Sequence, residues 1–246
     1  MHYQPKYNIE GDKPVLSSAE ALIRWMHPEF GRINPCVFIP LFEENGLIQK
    51  LDRYVWNEAA RQIALWKREL GVSLPVSVNM SGVDMFDPRL EMDLLEIINR
   101  HGISSKELML EITESACSDR ETRIVEVIER LRAKGFIIEM DDFGSGSSSL
   151  NTLSSMPIDI LKLDMGFVRK ICDSDKDRHI VEIVLKIADF LSVPVIAEGV
   201  EREEQYRILK DMGCNVIQGY YFSRPLSSNE MREKLVNELT ENGDKK

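Results

Sequence analysis

The stretch FIIEMDDFGSG, residues 136–146, changes abruptly from apolar residues to acidic and then small residues. Its apolar, β-branched part predicts a buried strand, and the glycines and serines that follow predict an irregular loop. The adjacent Asp141 and Asp142 at the strand end repel each other and resist burial unless a positive charge lies between them. A divalent metal pair is one candidate, because one carboxylate can bridge two ions. By itself, the stretch fits an Asp cap or turn better.

Strand-like and helix-like segments alternate along the rest of the chain. Apolar residues recur at helical spacing in residues 55–70, 124–131, 180–191 and 231–239. Helices are predicted to end before strands at Gly71, Gly102, Gly135 and Gly213. The pattern predicts a single TIM-type (β/α)8 barrel at residues 1–239, followed by a polar tail at residues 240–246. The predicted strands are residues 1–8, 19–25, 75–80, 107–112, 136–140, 160–163, 194–197 and 216–220.

The composition excludes several classes of protein. A net charge of −10 over 246 residues argues against a general nucleic-acid binder, so no DNA partner is expected, but a small phosphorylated ligand remains allowed. No apolar run approaches the roughly 18 residues that a membrane span needs, so no direct membrane insertion is expected. Four widely spaced cysteines predict free thiols in a reducing cytoplasm, including that of a membrane-tethered protein. They are Cys36, Cys117, Cys172 and Cys214.

Polar residues recur where the predicted strands end, and function collects at this end of a (β/α)8 barrel. Lys162, flanked by Leu161 and Leu163, must pair with an acid or have a shifted pKa. Individually, a surface glutamate explains Glu20 and a turn explains Asn79. Together the residues predict a shared hard cation with oxygen ligands, of the magnesium or manganese type. The set comprises Glu20, Arg24, Asn79, Glu111, Glu114, Asp141, Asp142, Lys162, Asp164, Glu198 and Gln218.

The same positions carry a family signature. The run Glu20-Ala21-Leu22-Ile23-Arg24-Trp25 resembles the opening motif of EAL domains, the cyclic-di-GMP (c-di-GMP) phosphodiesterases. Further blocks are similar to that family's motifs in the same order, and the resemblance covers essentially the whole chain. They are QP at 4–5, HP at 27–28, FIP at 38–40, ENGLI at 44–48, VNMS at 78–81, EITE at 111–114, DDFG at 141–144, LKLD at 161–164, AEGVE at 197–201, QGY at 218–220 and Pro225.

The resemblance implies a modified barrel whose first strand runs antiparallel to the others. It also implies two divalent cations, Mg²⁺ or Mn²⁺, and hydrolysis of c-di-GMP to linear pGpG in bacterial second-messenger signalling. Asp141 is expected to bridge the two cations. Asp142 is an expected ligand of the second cation, and Glu198 is expected in or beside the ligand shell of that cation. The implied ligands of the first cation are Glu20, Asn79, Glu111 and Asp141.

Further roles follow from the same resemblance. Lys162 is expected to hold or help deprotonate the water between the metals, and Glu20 and Glu198 complete the catalytic set. Glu114 corresponds to the glutamate that steadies the loop after Asp142. That loop is linked in the family to dimerisation, so a homodimer is expected, with sensory or GGDEF-type domains upstream if the chain is a fragment. The implied substrate contacts are Gln4, Leu22, Arg24, Gln218 and Pro225, with Arg24 suited to a phosphate oxygen.

Two alternatives and one departure accompany this reading. Ser145 and Ser147 stand where the family usually has threonine and an aromatic residue. Ser145 keeps the hydroxyl, so little loss is expected there, whereas Ser147 removes an aromatic anchor and is expected to loosen the loop, with effects on dimer coupling and turnover. The main rival is a weak or inactive EAL domain that acts as a c-di-GMP receptor or protein-interaction module. Filled acidic, amide and lysine positions favour catalysis. An enolase-type or Schiff-base enzyme using Lys162 leaves Gln4, Arg24 and Gln218 unexplained.

Overall fold

Eight strands close into a barrel within the part of the chain that the structure describes. The computed structural model describes residues 1–114, 121–144 and 155–243, with residues 121–122 and 241–243 described by their backbone alone. In chain order the strands are β1 (His2–Asn8), β2 (Val15–Leu22), β3 (Trp25–His27), β4 (Gly31–Ile33), β5 (Val76–Met80), β6 (Leu108–Thr113), β7 (Ile138–Phe143), β8 (Ile160–Leu163), β9 (Val195–Glu198), β10 (Val216–Gln218) and β11 (Leu226–Ser227).

The pairing of the strands confirms the predicted single barrel with an antiparallel first strand. Strands β2 and β5 to β10 pair in parallel, one after another, and β1 closes the ring between β2 and β10. Strand β1 is antiparallel to both of these neighbours and also pairs with the short β11. Strands β3 and β4 form a separate two-stranded hairpin.

Helices alternate with the strands. The four predicted helical segments are present, and four shorter helices accompany them in the described residues. One of these, α1, has Pro40 in its interior, which opposes a helical prediction. The helices are α1 (Pro35–Glu44), α2 (Ile48–Leu70), α3 (Leu90–His101), α4 (Glu121–Ala133), α5 (Met165–Lys170), α6 (Asp175–Phe190), α7 (Glu203–Asp211) and α8 (Ser228–Gly243).

Helix α2 shows how the sequence pattern becomes packing. Val55, Ala59, Ile63 and Trp66 recur every three or four residues, and all four are buried in the core. The helix ends at Gly71, whose φ of 67° is the left-handed conformation that a helix-ending glycine adopts most easily. This face of α2 packs on β5 and so supports the strand that carries Asn79.

Several strand boundaries differ from the prediction, and those of β2 and β7 affect the candidate site. The second strand begins at Val15 rather than residue 19, because antiparallel pairing with β1 extends it backwards. It ends at Leu22, so Arg24 lies beyond the strand, and Trp25 belongs to the β3–β4 hairpin. Strand β7 continues to Phe143, which places Asp141 and Asp142 inside the strand rather than after it.

The last helix extends past residue 239, where the sequence suggested that the barrel ends and a polar tail begins. Helix α8 continues to Gly243, and the Thr240 hydroxyl donates a hydrogen bond of 2.8 Å to the Val236 carbonyl. The division into a barrel and a tail stays a prediction. Among the described helices, none is both long and apolar enough to cross a membrane.

Candidate active site

Polar side chains from seven described strands form a connected network at one end of the barrel. Parallel strands bring their carboxyl ends to the same end of the barrel, as expected for this architecture. Each strand from β5 to β10, together with β2, contributes one residue to the network. These residues are Glu20, Asn79, Glu111, Asp141, Lys162, Glu198 and Gln218.

Lys162 lies at the centre of this network and is 1% exposed. Its Nζ is 2.7 Å from Glu198 Oε1, 2.9 Å from Asp141 Oδ1 and 3.1 Å from Glu111 Oε1. Glu20 Oε2 is further away, at 3.9 Å. Burial lowers the pKa of Lys162, but Glu111, Glu198 and the other carboxylates outweigh it and hold the pKa well above its usual value. The prediction that this lysine pairs with an acid is confirmed.

Glu20 connects the two flanks of the network. Gln218 Nε2 donates to Glu20 Oε2 at 2.5 Å, and Asn79 Nδ2 lies 3.4 Å from Glu20 Oε1. Trp56 of α2 donates its indole N–H to the Asn79 carbonyl at 3.0 Å and so anchors the end of β5. Burial, with a further contribution from Glu111, raises the pKa of Glu20 to about 7. The metal-free site therefore resists carrying all of its negative charge.

A bulge in β7 brings two consecutive carboxylates to the same site. Successive side chains of a regular strand point to opposite faces. Between Met140 and Phe143, however, the register with β8 shifts, and two residues of β7 stand opposite Lys162 alone. Asp142 adopts a left-handed φ of 58°, and its N–H donates to Asp141 Oδ1 at 2.9 Å. The backbone thus breaks the alternation that would separate the two acids.

Three carboxylates of this region form a candidate metal site. One oxygen each of Asp141, Asp142 and Glu198 lies within 4.8 Å of the others. Burial raises the pKa of Glu198 to about 7, with Asp141 adding to the shift. Burial and the neighbouring Asp141 and Asp164 also raise the pKa of Asp142. Clustered carboxylate oxygens are the donors that hard divalent cations prefer, so this group could hold a metal ion.

Two adjoining cavities contain most of the predicted substrate contacts. A cavity of about 240 Å³ is lined by the catalytic candidates and also by Gln4 and Gln218. A second cavity of about 250 Å³ is lined by Leu22, Arg24 and Asn79. Pro225 lies in the segment between β10 and β11 and is not a lining residue of either cavity. Arg169 and Tyr220 also line the first cavity, although the sequence pattern assigns neither residue a role and Tyr220 enters only as part of the QGY motif.

The glutamate assigned to the loop lies where the loop begins. Glu114 follows β6, and its Oε2 accepts a hydrogen bond of 3.2 Å from the Gly144 N–H. This contact is compatible with the loop-stabilising role, which stays a prediction. Ser145 and Ser147, with the predicted loss of an aromatic anchor, lie outside the described residues.

Sequence reasoning missed two buried charges beside the network. They are Lys6 and Glu139, and both side chains are fully buried. Lys6 Nζ lies 2.9 Å from Glu111 Oε1 and 2.6 Å from Glu139 Oε2. Burial, opposed by Lys6 but reinforced by Glu111, raises the pKa of Glu139 to about 7. Asp164, by contrast, was singled out for the site but caps α5, accepting from the Gly166 N–H at 2.8 Å.

Comparison with known proteins gives the family. The sequence model of the EAL domain matches residues 1–225. The chain is 37% identical over 226 residues to the cyclic di-GMP phosphodiesterase PdeR of Escherichia coli, covering 92% of this chain and 34% of PdeR. It is 36% identical over 232 residues to the bifunctional diguanylate cyclase/cyclic di-GMP phosphodiesterase MucR of Pseudomonas aeruginosa, covering 94% of this chain and 33% of MucR.

A solved structure agrees with these sequence matches. The c-di-GMP complex of the PaMucR phosphodiesterase is similar with a TM-score of 0.87 and 35% identity, covering 94% of this chain and 92% of that one. The chain spans about a third of the length of the curated relatives named above. The match extends over nearly all of the barrel, and the chain therefore belongs to the EAL domain family.

Proposed function

We propose that the chain hydrolyses one 3′–5′ phosphodiester bond of c-di-GMP and releases linear pGpG. The observation that carries the proposal is the complete polar network, in which every predicted acidic, amide and lysine position is filled and adjoins one end of the barrel. Several relatives are named cyclic di-GMP phosphodiesterases, which supports this substrate. The proposed setting is second-messenger signalling in the bacterial cytoplasm.

The charge of the cluster supports two divalent cations. When all groups are ionised, six carboxylates and two lysines leave four negative charges uncompensated, which is costly because three of the carboxylates and both lysines are buried. Two divalent cations, proposed to be Mg²⁺ or Mn²⁺, would restore neutrality. The carboxylates are Glu20, Glu111, Glu139, Asp141, Asp142 and Glu198, and the lysines are Lys6 and Lys162.

The donor set fits such cations. It consists of hard oxygen donors. Buried Glu111 Oε2 accepts no hydrogen bond from an N–H or hydroxyl group among the described residues, although the Glu139 carboxyl group contacts the Glu111 carboxylate. When bound, divalent cations lower the pKa of a coordinated water and offset the charge that develops on the phosphoryl oxygens. We assign one cation to Glu20, Asn79, Glu111 and Asp141, and the other to Asp141, Asp142 and Glu198.

Lys162 is proposed to act as a hydrogen-bond donor. Its Nζ lies between Glu198 and Asp141, both assigned ligands, so it is placed to orient a water held between them. The same contacts disfavour the Schiff-base alternative, because that chemistry needs a neutral amine and these carboxylates keep Nζ charged.

Two groups of residues are proposed to hold the dinucleotide. Gln4 and Gln218 line the cavity that contains the carboxylates, whereas Leu22 and Arg24 line the adjoining one. Arg24 Nε is buried and has no hydrogen-bond partner within the described ranges, although Nη1 donates to the Ile23 carbonyl. A phosphate oxygen of the substrate would satisfy this donor. Pro225 is retained as a proposed contact near this end of the chain.

The decisive experiment is a hydrolysis assay. The chain is incubated with c-di-GMP and Mg²⁺ or Mn²⁺, and the nucleotides are separated by chromatography, with pGpG as the expected product. Glu20→Gln should abolish turnover, because it removes one charged ligand from a buried site while keeping the side-chain shape. Glu182→Gln, on the exposed face of α6, is the matched control and should leave turnover unchanged.

Two outcomes would contradict the proposal. Substrate that binds but stays intact with both metals would favour the receptor function instead. Full turnover in the Glu20→Gln variant would contradict the site assignment while leaving the activity itself in place.

The proposed partners extend beyond the substrate. We propose that the chain forms a homodimer. Sedimentation velocity should then give a species of twice the monomer mass. If the full-length protein continues upstream, a sensory or GGDEF-type domain is the proposed neighbour, because one relative is named a bifunctional diguanylate cyclase/cyclic di-GMP phosphodiesterase.

A further inference from the structure

A buried ion-pair cluster surrounds the assigned ligand Glu111, and its other charged members, Lys6 and Glu139, enter the proposed function only through the charge balance. Fully buried Lys6 lies at its centre. Lys6 Nζ donates to Ser77 Oγ at 2.6 Å, to Glu139 Oε2 at 2.6 Å and to Glu111 Oε1 at 2.9 Å. An ammonium group has three N–H bonds, so these contacts use its whole donor capacity. The side chain is therefore held in one place.

The strand register explains why a lysine is needed there. Glu111 and Glu139 are direct partners in the neighbouring parallel strands β6 and β7, so their carboxylates are side by side. Two buried negative charges at this separation repel each other and need a compensating cation. Lys6 reaches both carboxylates from β1, the antiparallel strand that closes the ring between β2 and β10.

We propose that Lys6 and Glu139 are positioning residues that hold Glu111 for cation binding. This inference rests on the proposed function, in which Glu111 is an assigned ligand. Glu111 Oε1 is fixed between two ammonium groups, with Lys6 Nζ at 2.9 Å and Lys162 Nζ at 3.1 Å. Glu111 Oε2 accepts no hydrogen bond from an N–H or hydroxyl group of the described residues and is the oxygen left for coordination, while the Glu139 carboxyl group contacts the same carboxylate. Partners that orient a metal ligand in this way strengthen metal binding.

A purely structural role is the competing explanation, and a double variant separates the two. Removing one member of a buried pair leaves an uncompensated charge, whereas replacing both members by apolar residues is often neutral for stability. When Glu139 is ionised, the double variant Lys6→Met with Glu139→Leu also leaves the net charge of the cluster unchanged. Any loss of cation affinity would then come from lost positioning of Glu111 and not from altered charge.

The test measures Mn²⁺ binding to the full chain by calorimetry, together with urea unfolding in the absence of metal. We expect the double variant to unfold near the wild-type midpoint but to bind Mn²⁺ about 10- to 100-fold more weakly. Wild-type Mn²⁺ affinity in the folded double variant would overturn the proposal.

A milder variant keeps the test valid if the double variant does not fold. Ser77→Ala removes one acceptor of Lys6 with little change in volume and should weaken Mn²⁺ binding about fivefold, the equivalent of one hydrogen bond. The matched control is Ser18→Ala, a buried serine of β2 with no hydrogen bond to Lys6 Nζ among the described residues. Equal affinities in the two serine variants would also overturn the proposal.

These outcomes are distinguishable from failure of the proposed function. A wild-type chain that neither binds Mn²⁺ nor hydrolyses c-di-GMP would refute the function and this inference together. A wild-type chain that does both, with variants of unchanged Mn²⁺ affinity, would refute the inference alone.

Discussion

At the scale of single residues, Asp52 is an unusual buried acid that lines the second cavity together with Arg24 and Asn79. Asp52 and Asp84 share a side-chain hydrogen bond, and Asp52 Oδ2 and Asp84 Oδ1 are buried atoms with no other partner in the described ranges. The other oxygen of Asp84 accepts from the Ser81 hydroxyl at 2.7 Å. Burial, together with the adjacent Asp84, raises the pKa of Asp52 to about 9. The folded chain therefore keeps a proton on Asp52 that the unfolded chain releases near pH 4.

We predict that Asp52→Asn makes stability less dependent on pH. Between the unfolded and folded pKa values the native state binds the extra proton, so the stability of the wild type falls as pH rises. Relative to that of the variant, the free energy of unfolding of the wild type should fall by up to about 1.4 kcal/mol per pH unit between pH 6 and pH 8. Urea unfolding at several pH values measures this. Parallel curves of unfolding free energy against pH for the wild type and Asp52→Asn would contradict the prediction. The control is the same substitution at exposed Asp12.

Lys162 gives a second prediction at this scale. Lys162→Met keeps the apolar stem but removes the donor proposed to orient the attacking water. Hydrolysis should slow by about 10²- to 10⁴-fold, whereas c-di-GMP affinity should change little, because the lysine is not an assigned substrate contact. Single-turnover kinetics and equilibrium binding separate these effects, with exposed Lys186→Met as the control. An equal loss of binding and hydrolysis would make Lys162 a structural residue.

The two buried lysines show what a sequence can reveal at this scale. Lys162 was noticed because Leu161 and Leu163 place it in an apolar strand. Lys6 alternates with Gln4 and Asn8, a pattern equally typical of a solvated strand face, and its burial arises only when β1 closes the ring. Glu139 escaped notice because both faces of its strand are apolar, and periodicity cannot then tell which face points inward.

At the scale of elements, the bulge of β7 gives a prediction about Asp142. Its left-handed φ of 58° is tolerated by Asp and Asn but costs other non-glycine residues about 1–2 kcal/mol. In the absence of metal, the free energy of unfolding of Asp142→Ala should therefore be about 1–2 kcal/mol lower than that of Asp142→Asn. Both variants should bind Mn²⁺ more weakly than the wild type, because each loses a ligand. Chemical unfolding in EDTA measures the difference in stability.

The control for this prediction is Asp12, which lies outside the left-handed region. Asp12→Ala and Asp12→Asn should unfold with similar free energies. A comparable gap at both positions would mean that the residue type, and not the backbone of β7, determines the cost.

The elements differed in how well the sequence indicated them. The strands and the long amphipathic helices were predicted because periodicity marks them directly. The bulge was not, since a shift of register is a property of two strands, β7 and β8, and not of either segment alone. The β3–β4 hairpin also went unrecognised, because three-residue strands are too short for alternation to be visible.

At the scale of the whole molecule, the charged interior predicts that divalent cations stabilise the fold. At a free ion concentration 100-fold above its dissociation constant, each bound ion should add about 2.7 kcal/mol to the free energy of unfolding. Thermal unfolding with Mn²⁺ or Mg²⁺, reversed by EDTA, measures this effect. NaCl at equal ionic strength is the control. Equal midpoints with and without divalent cations would contradict a cation site inside the barrel.

The alternation of segments was sufficient to predict the barrel, but the direction of β1 came only from the family resemblance. In the structure a short connection joins Asn8 to Val15, and so few residues suit a hairpin but not a parallel crossover. The sequence contained this information, yet the predicted start of the second strand at residue 19 concealed it. Locating the start of β2 would have given the strand direction without reference to any family.

Closure of the ring by β1 and β10 has a consequence for how the chain is made. Asn8 pairs with Val216, about 200 positions later, so β1 leaves the ribosome long before its partner strand β10 is made. At roughly 5–20 residues per second this delay is about 10–40 s. During translation one edge of β1 is unpaired and Lys6 lacks its carboxylate partners. The nascent β1–β2 segment thus exposes an unpaired strand edge until β10 is made, and premature termination before Val216 leaves a barrel that cannot close.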